Sequence, residues 1–192
     1  RKMAPSCLIF YIGLSKKIEG LEHHNLFFDE DLKEHGKEIY DNPQWPTSPL
    51  FYVCVTSKTD TNVAPQGCEN LFVLMPIAPG IFDTKEIRQE YFELIMARME
   101  NRLKTKIKDI IIFKRDYCIN DFQDDYNAFK GNAYGLANTL KQTANLKPKI
   151  TSKLNNLFYC GQLTVPGPGI PPALISGKIV AKHLLSTYEK AI

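Results

Sequence analysis

The chain has 192 residues, 44% hydrophobic and 23% charged, which is ordinary for a globular protein with its own core. A net charge of +3 is too small and too scattered to indicate nucleic acid as a partner, and no apolar run approaches the ~20 residues that cross a bilayer. The five cysteines are odd in number and include no Cys-x-x-Cys pair, so neither a zinc site nor a disulfide framework is predicted, and a cytoplasmic location is expected.

Short apolar segments dominate the first part of the chain and predict strands at 6–14, 24–28, 50–55 and 71–75. They follow one another closely, so antiparallel pairing is the simplest arrangement. A weak helix is expected at 32–40. A type I turn is expected at 64–67, with Pro65 and Gly67 in favoured positions.

The clearest predicted helix follows Asp83, which we expect to cap it, with Glu86 at the reciprocal position of a capping box. Its apolar stripe is expected to be Ile87, Tyr91, Leu94, Ile95, Met99 and Leu103. A strand at 107–113 follows it. The stretch 117–132 reads as irregular, and 136–144 as helical.

The most distinctive stretch is rich in glycine and proline. A short strand at 157–160 runs into a loop at 161–169, and a last helix is expected at 172–190. Proline suits the first turn of a helix, whose free N–H groups favour an anionic ligand. Pro172 stands where the third glycine of a dinucleotide fingerprint would be, so that fingerprint is not matched. From the residues alone, a structural turn and a ligand loop both stay open.

This stretch resembles the carboxy-terminal flavin motif of the phytoene desaturase family, which runs G-x-x-T-x-P-G-x-G-I-P and then S-x-K-x-x-A. The matching residues are Gly161, Thr164, Pro166, Gly167, Gly169, Ile170 and Pro171, followed by Ser176, Lys178 and Ala181. Two further blocks resemble the family in the same order: Ser57-Lys58-Thr59-Asp60 with Ala64-Pro65-x-Gly67, and Gly131-Asn132-Ala133-Tyr134 with Leu140-x-Gln142-Thr143-Ala144. The likeness therefore covers almost the whole chain.

The resemblance implies an FAD-dependent carotenoid desaturase of which this chain is the carboxy-terminal part, inactive alone. The amino-terminal dinucleotide fold is missing, and the chain is interpreted as beginning inside a longer protein. The implied cofactor contacts are the seven motif residues at 161–171 and Gln162. Gln162 stands where broader flavoprotein relatives place an acid, and an amide can make the same bond to the ribityl chain. No catalytic acid–base residue is identified.

The implied substrate is an apolar polyene, with a guessed lining of Phe72, Met75, Tyr134 and Leu136. Peripheral membrane contact of the full-length protein is expected, as is oligomerisation of the fragment through apolar residues at 174–185. A related flavoprotein that isomerises or saturates polyenes stays open as an alternative. A non-catalytic module that binds an apolar ligand stays open as another.

The expected fold class is α+β, with a mixed, largely antiparallel sheet, flanking helices and a terminal strand–loop–helix that completes a missing FAD-binding domain. Residues 1–115 are assigned to the substrate-binding domain and 116–192 to the segment that returns to the flavin. No metal site is predicted. His23 and His24 are adjacent, and neighbouring residues of a strand point to opposite faces.

Overall fold

The computed structural model of the chain describes residues 1–188, and its contacts divide the chain into two compact units. The sheet unit is Pro5–Asn132, and the loop–helix unit joins Arg1–Ala4 to the chain from Ala133 onward. The assignment of 1–115 to a substrate domain and of 116–192 to a flavin domain stays a prediction.

The sheet unit is built on five strands in the order β2-β3-β4-β1-β5. Their bounds are β1 Ser6–Leu14, β2 His24–Phe27, β3 Phe51–Cys54, β4 Glu69–Ile77 and β5 Ile111–Tyr117. All four pairings between these strands are antiparallel. The predicted α+β class with a largely antiparallel sheet is therefore confirmed.

Four α-helices accompany the sheet in the described residues: α1 Leu32–Tyr40, α2 Lys85–Leu103, α3 Ile119–Tyr126 and α4 Ile170–Tyr188. The predicted last helix at 172–190 thus begins two residues earlier than expected, and the end of that prediction lies outside the described residues. Among the described helices, none combines the length and apolar character needed to cross a membrane.

The core lies on one face of the sheet, against α2. Alternate residues of β1 point into it, among them Leu8 and Phe10, which are at most 1% exposed. The facing residues of α2 are Phe92, Ile95, Met96 and Met99. Each such side chain contributes about 1.5–3 kcal/mol by its burial. The predicted stripe was therefore partly wrong, because Leu94 is 36% exposed.

The N-cap of α2 was predicted one residue too early. Thr84 is the cap, and its Oγ1 accepts a hydrogen bond from the N–H of Ile87 at 3.3 Å. The carboxylate of Asp83 instead receives two hydrogen bonds from Arg88, at 2.8 and 2.7 Å. Both carboxylate oxygens of Asp83 are therefore bound by Arg88, and Thr84 caps the helix in its place.

Several other predicted elements were misplaced. The turn runs from Pro65 to Cys68, whose N–H donates to the Pro65 carbonyl, and Gly67 has the positive φ of a type II turn. The last sheet strand is Ile111–Tyr117, preceded by a single 3₁₀ turn at Lys108–Ile110. The stretch 117–132 was predicted to be irregular, but it contains α3. The many polar residues of this helix hid its helical pattern in the sequence.

Two elements predicted in the loop–helix unit are absent from its described residues. The stretch 136–144 is not helical, and Leu136 instead forms an isolated antiparallel bridge with Met3. The segment 157–160 is not a strand, since only Phe158 forms a bridge, with Thr151. A strand forms where several consecutive residues hydrogen-bond to a neighbouring strand, and within the described unit Phe158 forms a bridge with Thr151 alone.

Candidate functional site

The loop 161–169 is held at both ends by hydrogen bonds to its own segment. The N–H of Gly161 donates to Ser176 Oγ at 2.7 Å, and that hydroxyl donates to the Ala173 carbonyl at 2.6 Å. Thr164, which is 2% exposed, donates from Oγ1 to the Gly161 carbonyl at 3.0 Å. Ser176 thus ties the start of the loop to the first turns of α4.

The loop leads directly into α4, whose first residue is Ile170. The N–H of Ala173 donates to the Gly169 carbonyl at 3.0 Å, while Pro171 and Pro172 have no N–H. Ile170 therefore supplies the first N–H of this helix, and the two residues after it supply none. Ile170 and Pro171 are exposed, and Pro166 joins Val165 through a cis peptide bond.

A buried lysine stands behind the loop. Lys147 is 6% exposed, and its Nζ has no hydrogen-bond partner among the described residues. That Nζ lies 3.5 Å from the position that a Cβ on Gly167 would occupy, and Gly167 is buried with φ +142°. A Cβ at position 167 would meet the lysine at ordinary van der Waals distance, so the requirement for glycine comes from this backbone conformation, which other residues rarely adopt.

Lys147 was not among the site residues predicted from the sequence. Burying an ammonium group without a partner costs several kcal/mol, so such a group normally faces an anion. No pattern in the sequence separates this lysine from exposed neighbours such as Lys149. Lys147 and Gly167 define a candidate anion-binding site within the loop–helix unit.

The remaining predicted cofactor residue, Gln162, lies at the back of the same loop. Its Cγ and carbonyl oxygen are 3.4 and 3.6 Å from the position of a Cβ on Gly135. Gln162 is half-buried. All eight predicted cofactor residues thus belong to one loop and helix start, while the bond of Gln162 to a cofactor stays a prediction.

The predicted substrate-lining residues do not form one group. On β4, Phe72 and Met75 point to opposite faces, because Met75 comes three positions after Phe72 and side chains of a strand alternate at every position. Met75 is fully buried in the core, whereas Phe72 is half-buried on the other face. Tyr134, 42% exposed, and Leu136, 6% exposed, belong to the loop–helix unit.

The face of the sheet opposite α2, here called the open face, is lined by rows of side chains that are neutral in β3, β4 and β1, while Arg115 of β5 pairs with Tyr11 at one edge. One row, read from the strand pairing, is Leu26, Tyr52, Leu74, Ile9 and Tyr117. In the next row Phe72 pairs with Tyr11, and their rings meet edge to face at 5.5 Å. With strands about 4.8 Å apart, a row spans roughly 19 Å.

The tyrosines of the open face are neutral. Desolvation raises the pKa of Tyr52 to about 12 and also raises the pKa of Tyr11. Both hydroxyls are protonated at neutral pH, as in an ordinary tyrosine. The exposed fractions of Leu26 and Tyr11 are 65% and 41%, so the apolar part of this face is open to an apolar ligand.

No family model matches the chain. It is 45% identical over 183 residues to the carotenoid 3,4-desaturase of Haloarcula japonica, covering 95% of this chain and 37% of that protein. It is 30% identical over 186 residues to the zeta-carotene-forming phytoene desaturase of Myxococcus xanthus, covering 93% of this chain and 35% of that protein.

This chain belongs with the carotenoid desaturases. The resemblance stated from its motifs is confirmed, and the chain corresponds to the carboxy-terminal part of such a protein. It spans little more than a third of the length of the curated relatives it matches. The similarity also reaches the 4,4'-diaponeurosporene oxygenase of Staphylococcus haemolyticus, at 31% identity over 94% of this chain and 37% of that protein.

Proposed function

We propose that the protein containing this chain is an FAD-dependent carotenoid desaturase, which removes a hydride and a proton from a polyene precursor to introduce a double bond. Relatives named as carotenoid desaturases support the reaction class. The observation that carries the cofactor half of the proposal is the unpartnered Nζ of Lys147 behind Gly167. FAD, when bound, supplies the acceptor for the hydride.

The residues of the loop fit an anionic or electron-rich group. The ammonium of Lys147, the N–H of Ile170 and the positive end of the α4 dipole place partial or full positive charge around one loop. Such charge favours the added negative charge of a reduced cofactor, since preorganised donors cost no reorganisation during reaction. Gly167 keeps the backbone close enough for this contact.

The open face is the surface we propose for the polyene. Its row from Leu26 to Tyr117 is neutral, aromatic and aliphatic, and about 19 Å long. Phe72 lies on this face, so we retain it as a substrate contact. A carotenoid offers no hydrogen-bonding groups, and a surface without charged side chains in its central strands costs little to desolvate.

The rest of the proposal concerns partners. Leu174 and Leu185 of α4 are 72% and 60% exposed. We propose that the flavin-binding part of the same longer protein covers them, and that the chain alone oligomerises through them. Because polyenes dissolve in lipid, we also propose peripheral membrane contact, with the exposed Lys104 and Lys106 facing anionic headgroups.

The test uses the protein expressed at the full length of its relatives. Flavin absorbance is recorded first, and then phytoene in liposomes is added without oxygen. We expect bound FAD, which bleaches as desaturated polyenes form. Lys147→Met should weaken FAD retention or shift its reduction potential downward, since the reduced form loses a positive neighbour. Lys149→Met, an exposed neighbour, is the matched control and should change neither.

The outcomes separate the alternatives. Bound FAD with isomerised or saturated polyenes as products would assign the protein to that class of flavoprotein instead. An oxygenated product in a parallel incubation with oxygen would align it with the relatives named as oxygenases. A full-length protein that takes up no FAD yet binds phytoene would refute the proposal and leave a non-catalytic binding module.

A further inference from the structure

Three metal-ligating side chains meet at one corner of the sheet unit, beside β2 and β3. One ligand atom from each of His23, His24 and Cys54 lies within 4.8 Å of those of the other two. His23 and Cys54 are half-buried, and His24 is exposed. The group can therefore be reached from solvent.

The strand pairing explains why His24 and Cys54 meet. They are directly opposite partners across β2 and β3, and opposite residues of an antiparallel pair have Cβ atoms about 4.5–5.5 Å apart. Their side chains project to the same face. This half of the cluster is fixed by the register of the sheet.

His23 joins them because it is not part of β2, which begins at His24. It lies in a bend, and the ring centroids of His23 and His24 are only 4.2 Å apart. The argument that adjacent strand residues point to opposite faces therefore does not apply to this pair.

Hydroxyl groups hold both rings in place. His23 Nδ1 is 2.6 Å from Thr59 Oγ1, and His24 Nδ1 is 2.6 Å from Tyr52 Oη. When Nδ1 donates to a hydroxyl oxygen, Nε2 keeps the lone pair that a metal requires. Metal-binding histidines nearly always have such a partner on the other ring nitrogen, which orients the ring.

We propose that His23, His24 and Cys54 form a site for a borderline transition-metal ion of the Zn²⁺ class, with a solvent molecule as the fourth ligand. Two imidazoles and one thiolate suit this ion. Tetrahedral coordination at about 2.0–2.1 Å for nitrogen and 2.3 Å for sulfur needs donor atoms roughly 3.4–3.6 Å apart. The three ligand atoms lie within 4.8 Å of one another, so each pair must approach by about an ångström, and rotation of the side chains supplies this movement. The site does not depend on the proposed flavin chemistry.

The experiment titrates the full chain with Co²⁺ in a Cys160→Ser background, which removes an exposed thiol. We expect a thiolate-to-cobalt charge-transfer band and intense visible bands of tetrahedral Co²⁺ that saturate at one equivalent and disappear on adding Zn²⁺. Cys54→Ser should abolish the charge-transfer band, and His24→Gln should weaken binding. Cys68→Ser replaces another half-buried free cysteine and should leave the spectrum unchanged.

The hydroxyl partner gives a second readout. Tyr52→Phe should lower Zn²⁺ affinity roughly 10- to 100-fold while keeping the tetrahedral spectrum, as removal of an orienting hydrogen bond does. A band that persists in Cys54→Ser would overturn the proposal, because the thiolate would then come from elsewhere. The absence of any saturable band at one equivalent would overturn it as well.

Discussion

Arg88 offers the sharpest test of how the sheet unit is held together. Its guanidinium is 8% exposed and reaches three carboxylates. It binds Asp83 through two hydrogen bonds of 2.8 and 2.7 Å, Asp116 at 2.7 Å and Asp121 at 2.8 Å. The hydrogen bonds to Asp83 are the largest cause that raises the pKa of Arg88. The perturbation is Arg88→Met, which keeps the length of the side chain and removes its charge.

The magnitude follows from the burial of the partners. Asp116 and Asp121 are 34% and 33% exposed and can turn to water, but the side chain of Asp83 is fully buried. Its remaining donors come from Asn120, whose backbone N–H is 3.0 Å from Oδ2. Leaving a buried charge without its partner costs about 3–5 kcal/mol, a large part of the ~5–15 kcal/mol that stabilises a typical domain.

Urea unfolding followed by circular dichroism measures this loss. With an m-value of about 2 kcal/mol per molar urea, the midpoint of Arg88→Met should fall by roughly 1.5–2.5 M. Adding Asp83→Asn should restore part of it, because the buried charge is then gone. Lys108→Met breaks the exposed pair with Glu93 and should not shift the midpoint measurably. If Arg88→Met behaved like this control, the assignment of the ion cluster as structural would be wrong.

Two further predictions concern a glycine and a buried thiol. Gly131 has φ +59°, and a Cβ there would lie 2.5 Å from the Ile119 carbonyl oxygen. Gly131→Ala should therefore lower the free energy of unfolding by about 1–3 kcal/mol in the same assay. Gly36→Ala is the control, because a Cβ at Gly36 meets no atom within 4 Å, and it should not destabilise the protein. Burial raises the pKa of Cys7 from 9.0 to about 12. Within that window the folded state keeps a proton that the unfolded state releases, so stability should fall as pH rises above 9.0, at up to about 1.4 kcal/mol per pH unit. In Cys7→Ala that slope should be shallower; an equal slope would contradict the assignment.

The sheet was readable from the sequence because its signal is local. The apolar runs of β1 and β4 predicted strands, whereas the alternation in burial along β4 is seen only in the structure. Capping of α2 was not readable, since Asp83 is as good a cap as Thr84 until Arg88 comes within 2.8 Å of it. The strand at 157–160 failed for a similar reason, because its apolar residues specify a strand only where a second strand is present.

The candidate site residues also differ in whether a local sequence pattern could reveal them. The motif residues at 161–171 were found because their spacing carries the resemblance, and they do share one loop. Lys147 belongs to no motif of the sequence, and its proposed role depends on the fold, which brings its Nζ next to Gly167. His23 and His24 were visible but dismissed, because the exact start of β2 decides whether two neighbours share a face.

Lys147 also bears on how the loop–helix unit is completed. A structural lysine buried for packing would pair with a carboxylate or a carbonyl of its own unit, as Lys58 does with Glu69 at 3.0 Å in the sheet unit. Lys147 pairs with nothing among residues 1–188, and the glycine beside it removes the one side chain that could have filled the space. The simplest physical account is that its counter-charge arrives from outside this chain. A bound anionic cofactor satisfies that requirement, and an acidic side chain from the rest of the longer protein is the alternative, which the comparison of Lys147→Met with Lys149→Met for FAD retention separates from it.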